Sequence, residues 1–209
     1  HVMQHADVCI MNISKVLLYF SRVAEIRVSL ARHPGMLDAL VRVSSSVLNP
    51  ECRVLRMRIM ANLANADDNK VVLMEHTGLV DSVLKIAALD LSDSTREYAS
   101  ATLMDLASSS DTQIPMAKND KVLGTLVKLA VLDEKDETRE YAVTAIQNLA
   151  FSKENRMRLV KYSQGVVLEA LKKALTNDTN DKTRRRAAGA LTNLACDETA
   201  SIMGHHNGL

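Results

Sequence analysis

Apolar residues return along this chain at the spacing of a helix. In EYAVTAIQNLA, Glu140 to Ala150, the recurring positions are Ala142, Ala145, Ile146 and Leu149, which gather on one face at about 100° per residue. EYASATLMDLA sets Ala99, Thr102, Leu103 and Leu106 in the same register, and RRAAGALTNLA sets Ala187, Ala190, Leu191 and Leu194. Each stretch predicts a long helix whose small residues allow close approach while the larger ones fill the space left. Shorter apolar stretches come before them. NKVVLMEH, then Gly78, then LVDSVLKIAAL predict a short helix, a turn and a second helix. Gly35 and Gly165 stand likewise before MLDALVRV and VVLEALKKAL, Lys121 or its neighbour takes that place before VLGTLVKLAVL, and Gly208 opens another such stretch. Helix starts are expected where Asn49 precedes Pro50 and where Ser94 and Glu97 have capping-box spacing.

The pattern is periodic at a larger scale. PECRVLRMRIMANLA, DSTREYASATLMDLA, DETREYAVTAIQNLA and DKTRRRAAGALTNLA place Leu63, Leu106, Leu149 and Leu194 at intervals of 43, 43 and 45 residues, and a further step of 43 back from Leu63 reaches Phe20 in SKVLLYFSRVA. The expected layout is one array: a partial repeat at 1–21, repeats at about 22–65, 66–108, 109–151 and 152–196, and a partial repeat at 197–209. Repeats of this kind bury their apolar faces against their neighbours. Cut ends without a polar cap predict a fragment of a longer array, open to self-association through its exposed end faces.

A period near 43 with three helices per repeat, and the phrase A-x-x-A-[LI]-x-N-L-A closing the third helix, resemble armadillo repeats; HEAT repeats are the alternative. EYAVTAIQNLA is similar to plant U-box-type armadillo proteins, and RRAAGALTNLA to catenin-like ones. The resemblance implies an all-α, right-handed α-solenoid whose third helices line a concave groove. It also implies a non-enzymatic scaffold or adaptor that binds an extended peptide segment through an Asn ladder. The alternative it leaves is the substrate-recognition region of a multidomain enzyme such as a U-box-type ubiquitin ligase.

Opposite the apolar stripe, the ladder position reads Tyr19, Asn62, Asp105, Asn148 and Asn193. An Asn amide both donates and accepts, so a row of them suits the backbone of an extended chain. Four residues earlier stand Arg58, Ala101, Thr144 and Gly189, where nuclear-import armadillo receptors place Trp, which argues against that function. Seven and eight residues earlier, the surface carries Tyr98, Tyr141 and Arg186, and Glu97, Glu140 and Arg185. The expected groove is therefore basic near Arg58, acidic around Glu97, Asp105 and Glu140, fitting basic residues of a partner, and basic again at Arg185 and Arg186. Arg53, Arg96, Arg139 and Arg184 form a further column pointing away from the groove, expected to pair with loop acids such as Asp93 and Asp136.

Composition adds exclusions. Lys and Arg number 26 against 25 Asp and Glu, so no global charge draws the chain to nucleic acid or anionic membrane. Thr183-Arg184-Arg185-Arg186 lacks the basic surroundings and aromatic platforms of a nucleic-acid site. Aromatic residues make up 3% and Trp is absent, which favours packed helices over a β-sandwich. The apolar run Val16 to Phe20 is far short of the ~20 residues a membrane helix needs. Cys9, Cys52 and Cys196 are odd in number and far apart, pointing to a reducing, intracellular compartment, cytoplasmic or nuclear. Neither His1 with His5 nor His205 with His206 makes a zinc motif, and no phosphate loop, nucleophile elbow or Cys–His pair is present. The sequence expectation is a chain without catalytic residues, metal or cofactor.

Overall fold

A computed structural model describes residues 2–44 and 49–205. Gly208, His1 and His206 lie outside them. Among the described residues there are fourteen α-helices and no strand, arranged in two compact units that divide between Leu106 and Ala107.

The first unit holds α1 (Val2–Arg22), α2 (Ala24–Arg32), α3 (Met36–Ser44), α4 (Pro50–Ala64), α5 (Asp67–Glu75), α6 (Leu79–Leu89) and α7 (Asp93–Ala107), of which only Ala107 falls beyond the division. Gly78, at φ 77°, turns the chain from α5 into α6 in the left-handed region, where a β-carbon is strained. Asn49 caps α4 by accepting from the Glu51 amide at 2.9 Å, with Pro50 in the first turn. The cap of α7 falls two residues before the expected one. Ser92, not Ser94, stands outside the helix, and its Oγ accepts from the Thr95 amide at 3.3 Å. Ile59, Leu63, Leu73, Leu79, Leu103 and Leu106 fill the core of this unit.

The second unit holds α8 (Ser110–Lys118), α9 (Asp120–Leu132), α10 (Asp136–Leu149), α11 (Lys153–Lys161), a short 3-10 turn (Tyr162–Gly165), α12 (Val166–Asn177), α13 (Asp181–Leu194) and α14 (Asp197–His205). No glycine separates α8 from α9. There Asn119 caps α9 through its side chain, accepting from the Lys121 amide at 3.0 Å. The apolar stripe predicted for α10 is sealed: Ala142, Ala145 and Leu149 are fully buried and Ile146 is 1% exposed. In α13 the equivalents Ala187, Ala190 and Leu194 are buried, while Leu191 is half-exposed.

Two recurring polar devices join the helices within each unit. Asn69 in α5 donates from Nδ2 to the Leu63 carbonyl at 3.0 Å and to the Arg27 carbonyl at 3.1 Å; Asn155 in α11 does the same to Leu149 at 3.0 Å and Gln113 at 3.1 Å. Each amide thus adds a bond to a carbonyl in the last turn of one third helix, and binds a neighbouring helix with the same group. The arginine column supplies the second device. Arg96 reaches Asp93 at 2.7 Å and Arg139 reaches Asp136 at 2.5 Å, the expected partners. Arg53 further binds Asp90 at 2.7 Å, and Arg139 binds Asp178 at 2.7 and 3.1 Å, so an arginine of one third helix holds the acid that precedes the next.

Candidate functional site

The surface opposite the apolar stripe is built differently in the two units. In the first, Asn62 is half-buried on α4, and its Nδ2 donates to Ser21 Oγ on α1 at 2.9 Å. One N–H is thereby fixed to the neighbouring helix, which orients the amide. The Oδ1 atom and the second N–H make no other bond within the described residues. Tyr19, one period earlier, is exposed and sets its ring edge-on to Phe20.

Asp105 occupies the next ladder position, with Lys70, Arg27, Asp67 and Asn65 around it. Burial pushes its carboxyl up to about 6, against the pull of Lys70 and Arg27 and of a hydrogen bond from Asn65, with Asp67 opposing them. Lys70 is itself buried and joined to Asp67 at 2.5 Å, and Arg27 holds Asn65 Oδ1 at 2.8 Å. Two other expected residues meet here: the Arg58 guanidinium lies 5.7 Å from the centre of the Tyr98 ring, a cation–π pair across α4 and α7. Glu97 is half-exposed one residue before Tyr98.

In the second unit, Asn148 and Asn193 are both half-buried, and Asn193 donates from Nδ2 to the Gln147 carbonyl on α10 at 3.5 Å. Asn193 thus repeats the arrangement of Asn62, each amide leaning on the third helix before it. Glu140 and Tyr141 are half-exposed, and Arg185 and Arg186 fully so. Thr144 departs from the expected open surface. It is 9% exposed, and its hydroxyl donates back to the Glu140 carbonyl at 2.7 Å. At Gly189 an added β-carbon would stand 2.3 Å from Gln147 Nε2, so the Gln147 side chain lies over the place an ordinary residue would fill. A sequence pattern carries no sign of that cover.

A separate cavity of about 780 Å³ opens beside α11, lined by Asp120, Glu154, Met157, Arg158, Lys161, Tyr162 and Ser163. Its polar groups are largely engaged with each other: Arg158 binds Asp120 at 2.7 Å, and Tyr162 donates to the Asp120 carbonyl at 2.9 Å. Among the described residues no group of His, Cys, Asp and Glu is placed to hold a metal ion, and no helix is long and apolar enough to cross a membrane.

Among solved structures, the chain is similar to a computationally designed armadillo repeat protein for modular peptide recognition, with 24% identity and a TM-score of 0.76 over 88% of this chain and 75% of that one. It is similar also to a designed armadillo repeat protein in complex with the peptide (KR)4, with 24% identity and a TM-score of 0.74 over 89% and 75% of the two chains. No protein-family model and no curated protein matches the sequence. The fold is that of an all-α solenoid of three-helix armadillo repeats, rather than the HEAT alternative.

Proposed function

We propose that this chain is a non-enzymatic interaction module, a scaffold or adaptor that holds an extended segment of a protein partner against its third helices. The observation that carries the reading is the state of the ladder amides. Asn62 is held by one N–H to the preceding third helix, and Asn193 reaches its own preceding third helix through a longer contact of 3.5 Å, while the rest of each amide is left to pair with a peptide backbone. Design for modular peptide recognition in one similar protein, and the (KR)4 peptide on another, support it. Glu97, Asp105 and Glu140 suit basic residues of the partner. The reading groups the helices α2–α4, α5–α7, α8–α10 and α11–α13 as repeats of one array, and three cysteines without a disulfide fit an intracellular setting.

Replacing both Asn148 and Asn193 by Ala is the direct test, on a peptide selected from a displayed random library. Affinity by calorimetry is expected to fall about tenfold or more, each lost bond being worth about 0.5–1.5 kcal/mol, with the chain still folded and its melting temperature only slightly lowered by loss of the Asn193 bond to the Gln147 carbonyl. Unchanged affinity with a lowered melting temperature overturns the reading.

A further inference from the structure

Within the second unit, α10 and α13 pack directly against each other and carry opposite charges in the same register. Glu137 and Glu140 on α10 correspond to Lys182 and Arg185 on α13, each pair 45 residues apart, and Arg186 adds to the cations where α10 has Tyr141. All lie on the arc around Asn148 and Asn193 that faces away from the buried alanine and leucine stripe. Glu137, Lys182, Arg185 and Arg186 are exposed and Glu140 half-exposed.

None of these five side chains makes an ion pair or hydrogen bond within the described residues. The contrast with their neighbours is sharp, because Arg139 and Arg184, one residue before Glu140 and Arg185, are both held by acids and loop carbonyls. The structure satisfies the arginines on the rear of these helices and leaves the charges on the front unmatched.

We propose that this surface recognises an extended peptide of mixed charge, an acidic side chain seated on Lys182, Arg185 and Arg186 of α13 and a basic one on Glu137 and Glu140 of α10. The proposal rests on the peptide-binding reading and sharpens it, since a purely basic ligand leaves the α13 cations unmatched. Packed helices stand about 8–10 Å apart and an extended chain advances about 3.3 Å per residue. The two ligand charges are therefore two or three residues apart, on a strand that crosses the third helices. Gly189, one turn beyond Arg186, keeps backbone bulk low beside that path, with only the Gln147 side chain to move aside.

The test uses three labelled Gly-Ser-Thr dodecapeptides, titrated by NMR against the full chain. One carries Asp-Asp and Lys-Lys separated by two residues, one carries only the acids doubled, and one only the bases doubled. The mixed peptide is expected to bind at least about tenfold tighter than either other. Glu137→Lys with Glu140→Lys makes the surface uniformly basic and shifts the preference to the acidic peptide; Arg185→Glu with Arg186→Glu shifts it to the basic one. Circular dichroism confirms that these surface variants stay folded. Equal affinity for the three peptides, a ranking untouched by either charge swap, no detectable binding of any peptide, or tighter binding of a single-stranded oligothymidylate each overturns the proposal. A flat ranking with uniform weakening by the Asn148→Ala, Asn193→Ala pair leaves the broader peptide-binding reading standing while this one falls.

Discussion

Asp105 stands where the other full repeats have Asn62, Asn148 and Asn193, and the structure gives that exception a cost that depends on pH. Its folded-state value of about 6 lies above the ordinary 3.8, so the folded chain holds this proton more firmly than the unfolded one. The contribution to stability is complete below the ordinary value and is lost as pH rises through about 6. Asp105→Asn should therefore raise the melting temperature at pH 7.5 and flatten its decline between pH 4 and 6; identical melting profiles for the two proteins would count against the burial of this carboxyl. Thr138 offers a second test at this scale. Its hydroxyl, like those of Thr95 and Thr183, is buried with no hydrogen-bond partner among the described residues. Thr138→Val is expected to stabilise by about 1 kcal/mol in urea unfolding, where Leu149→Ala, opening a cavity in the sealed stripe, should cost about 2–5 kcal/mol. The sequence makes both positions recur, yet their meaning depends on atoms far away along the chain. Arg27, Lys70 and Asn65 set the environment of Asp105, and no local pattern brings them there. Arg56 is similar: it takes a place in α4 where α10 has buried Ala142, and Ser14 and the Ala39 carbonyl meet it.

Helices as elements were nearly all legible, because the spacing of the apolar stripe and the glycine or Asn–Pro punctuation are local properties. The misplaced cap of α7 shows the limit. Ser92 and Ser94 are both capping residues by type, and only the backbone decides that Ser92 is the last residue outside the helix. The side-chain brackets made by Asn69 and Asn155 left a trace in DNK and ENR, an Asn after an acid two periods apart, but as a motif it reads only as a solvated helix start. Arg139 shows how much one bracket holds. It grips Asp178, whose side chain is 4% exposed; although burial raises that carboxyl, Arg139 and the Asn180 amide hold it below the ordinary carboxylate range. This stabilisation is present above the ordinary value and fades as pH falls through the lowered one. Arg139→Ala strands a buried carboxylate and should cost about 3–5 kcal/mol at pH 7. Asp178→Asn combined with Arg139→Gln should recover a large part of it, as read by a double-mutant cycle in guanidinium.

For the molecule as a whole, the interval of 43 between copies is a strong enough signal to give the repeat class, since few architectures share it. Which surface charges find partners is not in that signal, because it depends on how neighbouring third helices face one another. The same is true of α1. Ile13, Val16 and Phe20 match Ala142, Ala145 and Leu149 in register, yet they are 59%, 54% and 41% exposed where the α10 residues are sealed. An apolar face of this kind supports self-association. Sedimentation of the chain at rising concentration is expected to show a growing average mass that Val16→Glu with Phe20→Lys abolishes. A mass that stays at one chain throughout would end that expectation.

The arginine brackets bear on how such a chain changes length over generations. Arg139 takes the carbonyls of Asp133 and Glu134 together with Asp136, and Arg184 takes those of Asp178 and Thr179 together with Asp181, so α10 and α13 each carry a copy of one joint. A genetic event that removes residues 136–180 would bring Asp181 directly after Lys135 and hand Arg184 the carbonyls that Arg139 had used. A cut of the same size begun inside α10 would join its first part to the matching second part of α13, still in register, whereas a cut of any other size would break the period. Whole-period gain and loss is thus the form of length variation that this architecture can inherit without a second, compensating change.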